Sequence, residues 1–138
     1  MQTHEEWLIK AHNDLRSAIK LASAPEIILD TSIYHTQQAA EKSLKAFLVF
    51  KQQPIKRVHD LEYLLELCCQ LDQRFRGLSD CAKFLHPFCS AFRYPDDILI
   101  PEPDEVEKAI SCAKKIVAFV KKIIHEPQNP TSPIFTSE

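Results

Sequence analysis

Apolar residues recur every three or four positions over most of the chain, the spacing that lines one face of an α-helix. Leu8, Ala11, Leu15, Ala18, Ile19 and Ala22 form the first such stripe, and Thr3 and Glu6 stand before it at capping-box spacing. A helix starting near residue 4 is therefore expected. Pro25 interrupts, Asp30 offers an N-cap, and Ile33, Ala40, Leu44, Phe47 and Leu48 carry a second helix from Thr31 to Lys51 that Pro54 breaks. Asp60 can cap a third helix with core positions Leu61, Leu64, Leu65, Cys68 and Leu71. Gly77 and Ser79 then punctuate, and Leu78, Cys81, Phe84, Leu85, Phe88 and Phe92 predict a fourth helix that Pro87 can kink and Pro95 must end. The fifth helix opens at Pro103 and buries Val106, Ala109, Ile110, Ala113, Val117, Val120 and Ile124. Its acidic start (Asp104, Glu105, Glu107) and basic end (Lys121, Lys122, His125) match the helix dipole.

Five amphipathic helices with short connections predict an all-α fold, an up-and-down four-helix-type bundle with an additional short helix, over residues 1–126. Residues 127–138 set Pro127, Pro130 and Pro133 among Asn, Ser and Thr, the composition of a flexible C-terminal tail. No second domain and no repeat is expected.

Composition narrows the function mainly by exclusion. Gly77 is the only glycine in 138 residues, where ordinary usage would give about ten. Phosphate loops, dinucleotide-binding turns and runs of tight hairpins need several, because only glycine takes positive φ without steric cost. A formal charge of −2 argues against a protein that coats nucleic acid by bulk electrostatics. Five cysteines without a Cys-x-x-Cys pair read as reduced thiols of a cytoplasmic protein. The first residues lack a basic stretch followed by an apolar one, and the run Ala46 to Phe50 is far too short to span a bilayer. A cytoplasmic, non-membrane chain is expected. His86 and Cys89 lack the second pair a structural zinc would need, so no metal and no cofactor is expected. No nucleophile turn accompanies the Ser, His and Asp residues, and no catalytic residue is assigned.

Three segments carry candidate binding chemistry. On the second helix, His35, Gln38, Lys42 and Lys45 form a polar row opposite the apolar stripe, either a binding face or a solvated one strengthened by the Glu41 and Lys45 pair. Lys56, Arg57 and His59 precede the third helix, where free N–H groups favour phosphate, although the Asp60 carboxylate competes for the same groups. Arg93 can clamp phosphate and Tyr94 can stack on a base, with Asp96 and Asp97 beside them; the alternative is a helix stop at Pro95. Lys114, Lys115, Lys121 and Lys122 are most simply the solvent face of the fifth helix.

The run Tyr34-His35-Thr36-Gln37-Gln38-Ala39-Ala40-Glu41-Lys42-Ser43-Leu44-Lys45-Ala46, followed by Val58-His59-Asp60-Leu61 and Arg93-Tyr94-Pro95, resembles the HEPN domain, the higher eukaryotes and prokaryotes nucleotide-binding family. The resemblance spans His4 to His125. It implies a helical bundle that forms a homodimer and pairs with a minimal nucleotidyltransferase in a toxin–antitoxin or defence context. Ribonuclease members carry an Arg-x4–6-His motif; here no arginine is followed by histidine at that spacing. The implied function is noncatalytic nucleotide or RNA binding through His35, Gln38, Lys42, Lys45, His59, Arg93 and Tyr94. The alternatives are a dimerisation or protein-interaction module without a small ligand, and a HEPN-type ribonuclease with a degenerate motif.

Overall fold

The capping box at the start of the chain forms as its spacing implies: the Thr3 hydroxyl accepts from the Glu6 N–H at 3.2 Å, and the Glu6 carboxylate accepts from the Thr3 N–H at 2.8 Å. Helix α1 (His4–Leu21) follows and buries Leu8, Ala11, Asp14, Leu15 and Ala18. The computed structural model describes residues 3–55, 57–92 and 100–127. Within them the chain builds α2 (Leu29–Phe50), α3 (Leu61–Leu71), α4 (Ser79–Leu85) and α5 (Pro103–His125), with 3₁₀ turns at Gln73–Leu78 and His86–Cys89. No strand occurs among the described residues, and the fold is the all-α bundle expected.

Helix α2 is the axis of the bundle and packs against α1, α3 and α5. Buried alanines and serines, among them Ala11, Ala18, Ser32, Ala39 and Ala46, let α1 and α2 approach closely. The Ser32 hydroxyl donates to the Ala18 carbonyl across that contact at 2.7 Å. Ile33, Leu44, Phe47, Leu61, Phe75, Leu85, Ile116 and Val120 fill the centre. Phe47 and Phe75 meet at 4.4 Å between ring centroids, and Phe119 closes edge-on against Phe75 at 5.0 Å.

Four local expectations are corrected. Helix α2 begins at Leu29, two residues early, so Asp30 lies in its first turn and accepts from the Thr31 N–H instead of capping from outside. The single fourth helix is two pieces, because Pro87 has no N–H and its ring opposes the i−4 carbonyl; α4 ends at Leu85 and a 3₁₀ turn finishes the segment. Ile19, read into the first apolar stripe, is 37% exposed, whereas Gly77 punctuates as expected inside the 3₁₀ turn Gln73–Leu78. Leu71 is 40% exposed, and Cys69 is buried in its place. The proposed tail from residue 128 lies outside the described residues. Among the described residues no helix is long and apolar enough to cross a membrane, and no group of three or more His, Cys, Asp or Glu could hold a metal ion.

Candidate functional site

The polar row of α2 is divided between two carboxylates. Asp14 sits in the apolar stripe of α1, so it points inward to α2. Its Oδ1 lies 2.7 Å from His35 Nδ1, and its Oδ2 accepts from Lys42 Nζ at 2.6 Å. A carboxylate can only accept, which puts the hydrogen on Nδ1 and leaves Nε2 of His35 available. The His35 side chain is 27% exposed.

The second cluster is deeper. Glu41 is 2% exposed and Lys45 5%, and Lys45 Nζ donates to Glu41 Oε2 at 3.0 Å. Lys45 also lies 5.7 Å from the centroid of the Trp7 ring, a second source of stabilisation for its charge. His59, from the turn before α3, brings Nδ1 to 3.1 Å from Glu41 Oε2. Gln37 Nε2 donates to Glu41 Oε1 at 3.3 Å and to the His59 carbonyl at 3.4 Å, and Gln38 Nε2 donates to Gln37 Oε1 at 2.8 Å. The two clusters share a design: one carboxylate, one lysine that neutralises it, and one histidine held at Nδ1. They differ in what they show to solvent, since the His59 side chain is 68% exposed.

The expected row is thus neither one recess nor a solvated face. His35 and Lys42 converge on Asp14, while Gln37, Lys45 and His59 converge on Glu41 and Gln38 reaches that cluster only through Gln37. The phosphate seat before α3 is taken, because Asp60 accepts from the Tyr63 N–H at 3.0 Å as the helix cap. Lys56, and the segment that carries Arg93, Tyr94, Asp96 and Asp97, lie outside the described residues. Lys114, Lys115, Lys121 and Lys122 are exposed along α5 as expected.

Two residues not singled out in the sequence border the site. Arg16 and Lys20 stand one turn apart on α1 and, with Asn13, Ser17, Glu26 and His35, line an open groove of about 970 Å³. Neither cation has an ion-pair partner among the described residues. His35 also lines a smaller recess of about 260 Å³ with Asp30, Thr31, Tyr34 and Phe92. Asp14 was missed as well, although a charged residue inside an apolar stripe is a signal that could have found it; Arg16 and Lys20 carried no signal, since exposed cations on a helix are ordinary. A separate apolar recess of about 240 Å³, lined by Leu48, Pro54, Ile55, Val58, Tyr63 and Leu67, holds none of these groups.

The HEPN domain pattern matches residues 4–123 of this chain. The chain belongs to the HEPN family. Two solved structures extend the match to the fold. ST0689, an archaeal HEPN homologue, is 27% identical with a TM-score of 0.70, over 90% of this chain and 99% of its own. TT1696 from Thermus thermophilus is 27% identical with a TM-score of 0.72, over 88% of this chain and 98% of its own. No curated protein matches. Both carboxylate clusters of this HEPN domain lie inside the matched span, as do Arg16 and Lys20.

Proposed function

We propose that this HEPN domain is a noncatalytic binding module that takes a phosphate-bearing ligand, a nucleotide or an RNA segment, in the groove between α1 and the start of α2. The supporting observation is the groove wall formed by Arg16, Lys20 and His35: two cations without an ion-pair partner among the described residues beside an imidazole that Asp14 orients, with Glu26 the carboxylate that shares the lining. In this reading Lys42 and Lys45 do not touch ligand. They neutralise Asp14 and Glu41 and so hold His35 and His59 in place. Arg93 and Tyr94 keep the roles of phosphate clamp and base stack. The module acts in the cytoplasm as a homodimer beside a minimal nucleotidyltransferase, in a toxin–antitoxin or defence setting.

Calorimetric titration with ATP and GTP, and fluorescence anisotropy with a single-stranded RNA oligonucleotide, test the site. Arg16→Ala with Lys20→Ala weakens binding by about tenfold or more, the order expected for losing charge-assisted hydrogen bonds. Tyr63→Ala, in the separate apolar recess, leaves it unchanged. Absence of binding by the native protein to every probe overturns the reading, and RNA turnover that Arg93→Ala abolishes overturns the noncatalytic part.

A second reading, a protein-interaction module without a small ligand, is favoured by exposed isoleucines beside the same groove. Ile27 is 55% exposed, and Ile19, at 37%, lines both this groove and the neighbouring one formed with Pro103 and Ile110. Silent titrations together with a dimer that Ile27→Glu dissociates would select it.

A further inference from the structure

Two concavities meet at His35. One is the groove of about 970 Å³ lined by Arg16, Lys20 and Glu26, and the other is the recess of about 260 Å³ formed with Asp30, Thr31, Tyr34 and Phe92. Their charges differ in sign. The groove sets two cations against one carboxylate, whereas the recess carries Asp30 and no lysine or arginine among the described residues. Asp30 makes no ion pair among the described residues either.

The recess is aromatic on two sides. The Tyr34 ring stands edge-on to His35 at 5.5 Å between centroids, and Phe92 stacks at 6.2 Å on Phe88, which is buried in the core. Phe92 takes a φ of 67°, the left-handed region that bulky side chains avoid, so its place at the recess is held at a conformational cost. Asp30 is half-buried, and its Oδ1 accepts from the Thr31 N–H at 2.8 Å and lies 3.4 Å from Thr31 Oγ1. That contact fixes the carboxylate. Each carboxylate oxygen can accept twice, so both keep capacity for a ligand.

We propose that this recess takes a guanine base, with the Asp30 carboxylate accepting from guanine N1–H and the 2-amino group while the phosphates lie toward Arg16 and Lys20. The proposal rests on the phosphate groove put forward above and names the base that goes with it. A carboxylate can only accept, and guanine alone among the common bases presents two adjacent donors on its Watson–Crick edge, which two carboxylate oxygens meet side by side. Adenine and cytosine each place one amino group beside a ring-nitrogen lone pair, and that lone pair repels a carboxylate oxygen. Uracil has a single donor between two carbonyls. The Tyr34 and Phe92 rings supply apolar surface for the base. Charge sets the direction of the ligand, because Asp30 repels phosphate and the groove attracts it. His35 stands where the concavities join, its Nδ1 hydrogen given to Asp14 at 2.7 Å, which leaves Nε2 for the sugar or phosphate between them.

Calorimetric titration of the full chain with GDP, IDP, ADP and inorganic pyrophosphate tests the base subsite. The expected order is GDP, then IDP, which lacks the 2-amino group, then ADP. GDP should bind at least about tenfold tighter than ADP, the step for hydrogen bonds to a charged acceptor. Asp30→Asn puts a donor beside an acceptor, the complement of adenine, so the preference between GDP and ADP should invert. Tyr34→Ala should weaken GDP and ADP together. Equal affinity for GDP, ADP and pyrophosphate overturns the base subsite and leaves the phosphate groove standing, whereas silence of the native chain toward all four probes overturns both. A GDP preference that survives Asp30→Asn also overturns the proposal. If a variant fails to fold by circular dichroism, the order of GDP, IDP and ADP on the native chain decides.

Discussion

Glu41 and Lys45 are four residues apart on one helix, which by itself predicts a surface ion pair worth a few tenths of a kcal/mol. In this fold the same pair is almost fully enclosed, so removing one partner leaves a buried charge without compensation. Lys45→Ala is expected to cost about 3 kcal/mol or more, the range for breaking buried pairs. Lys42→Ala, whose side chain is 27% exposed, is expected to cost about 1 kcal/mol. Urea denaturation of the two variants checks the ranking, and equal losses would contradict the burial argument. The difference was not legible in α2, where both lysines sit on one polar row. It is decided by neighbours from elsewhere: Trp7 packs against Lys45 and His59 joins its partner Glu41, whereas Lys42 pairs with Asp14 at the edge of the bundle.

At the end of α2 the backbone takes a conformation its residues do not prefer. The Gln53 N–H donates to the Leu48 carbonyl and the Gln52 N–H to the Val49 carbonyl, both at 2.9 Å, the two bonds of a Schellman motif. Gln52 takes the left-handed position that motif requires, with φ of 59°. A side chain there is strained, and glycine is not. Gln52→Gly is expected to raise stability by about 1 kcal/mol, less its greater freedom in the unfolded chain. A shift of the urea midpoint upward checks this, and a downward shift would show that the Gln52 side chain contributes more than its backbone costs. The caps at Thr3 and Asp60 were legible because their hydrogen bonds are local. The split after α4 was legible only as a possible kink, since Pro87 removes one bond and the packing around it selects a 3₁₀ turn.

Across the whole molecule, the last turn of α5 is tied to distant parts of the chain by ionic contacts. His125 Nε2 lies 2.7 Å from Glu5 Oε2 on α1. Arg74 donates to both oxygens of Asp72, and its guanidinium donates to Glu126 at 2.8 and 3.2 Å. The Arg74 hydrogen bonds hold the Asp72 and Glu126 carboxyls below their usual range, and the His125 hydrogen bond does the same for Glu5. A carboxyl depressed by folding contributes stability above its unfolded value and loses it as pH falls through the folded value. The contribution is therefore present above about pH 5 and disappears in more acid solution. Arg74→Ala should lower Tm at neutral pH by a small amount, and the gap to the native protein should narrow as the pH is lowered and the depressed carboxyls of Asp72 and Glu126 protonate. A gap constant with pH would show that Arg74 acts by packing alone.

The apolar periodicity, the prolines and the caps determined the number and order of the helices, because each rests on interactions within a few residues. The scarcity of glycine likewise excluded phosphate loops without any coordinates. The fate of the polar row was settled only by tertiary structure. A helix packed against three others keeps only a narrow, partly exposed stripe, so His35, Gln38, Lys42 and Lys45 are sorted by which carboxylate, amide or ring their neighbours bring to each. The same packing leaves Arg16 and Lys20 without an ion-pair partner among the described residues, beside His35 and Glu26 in one groove, a meeting of separate segments that no local pattern encodes.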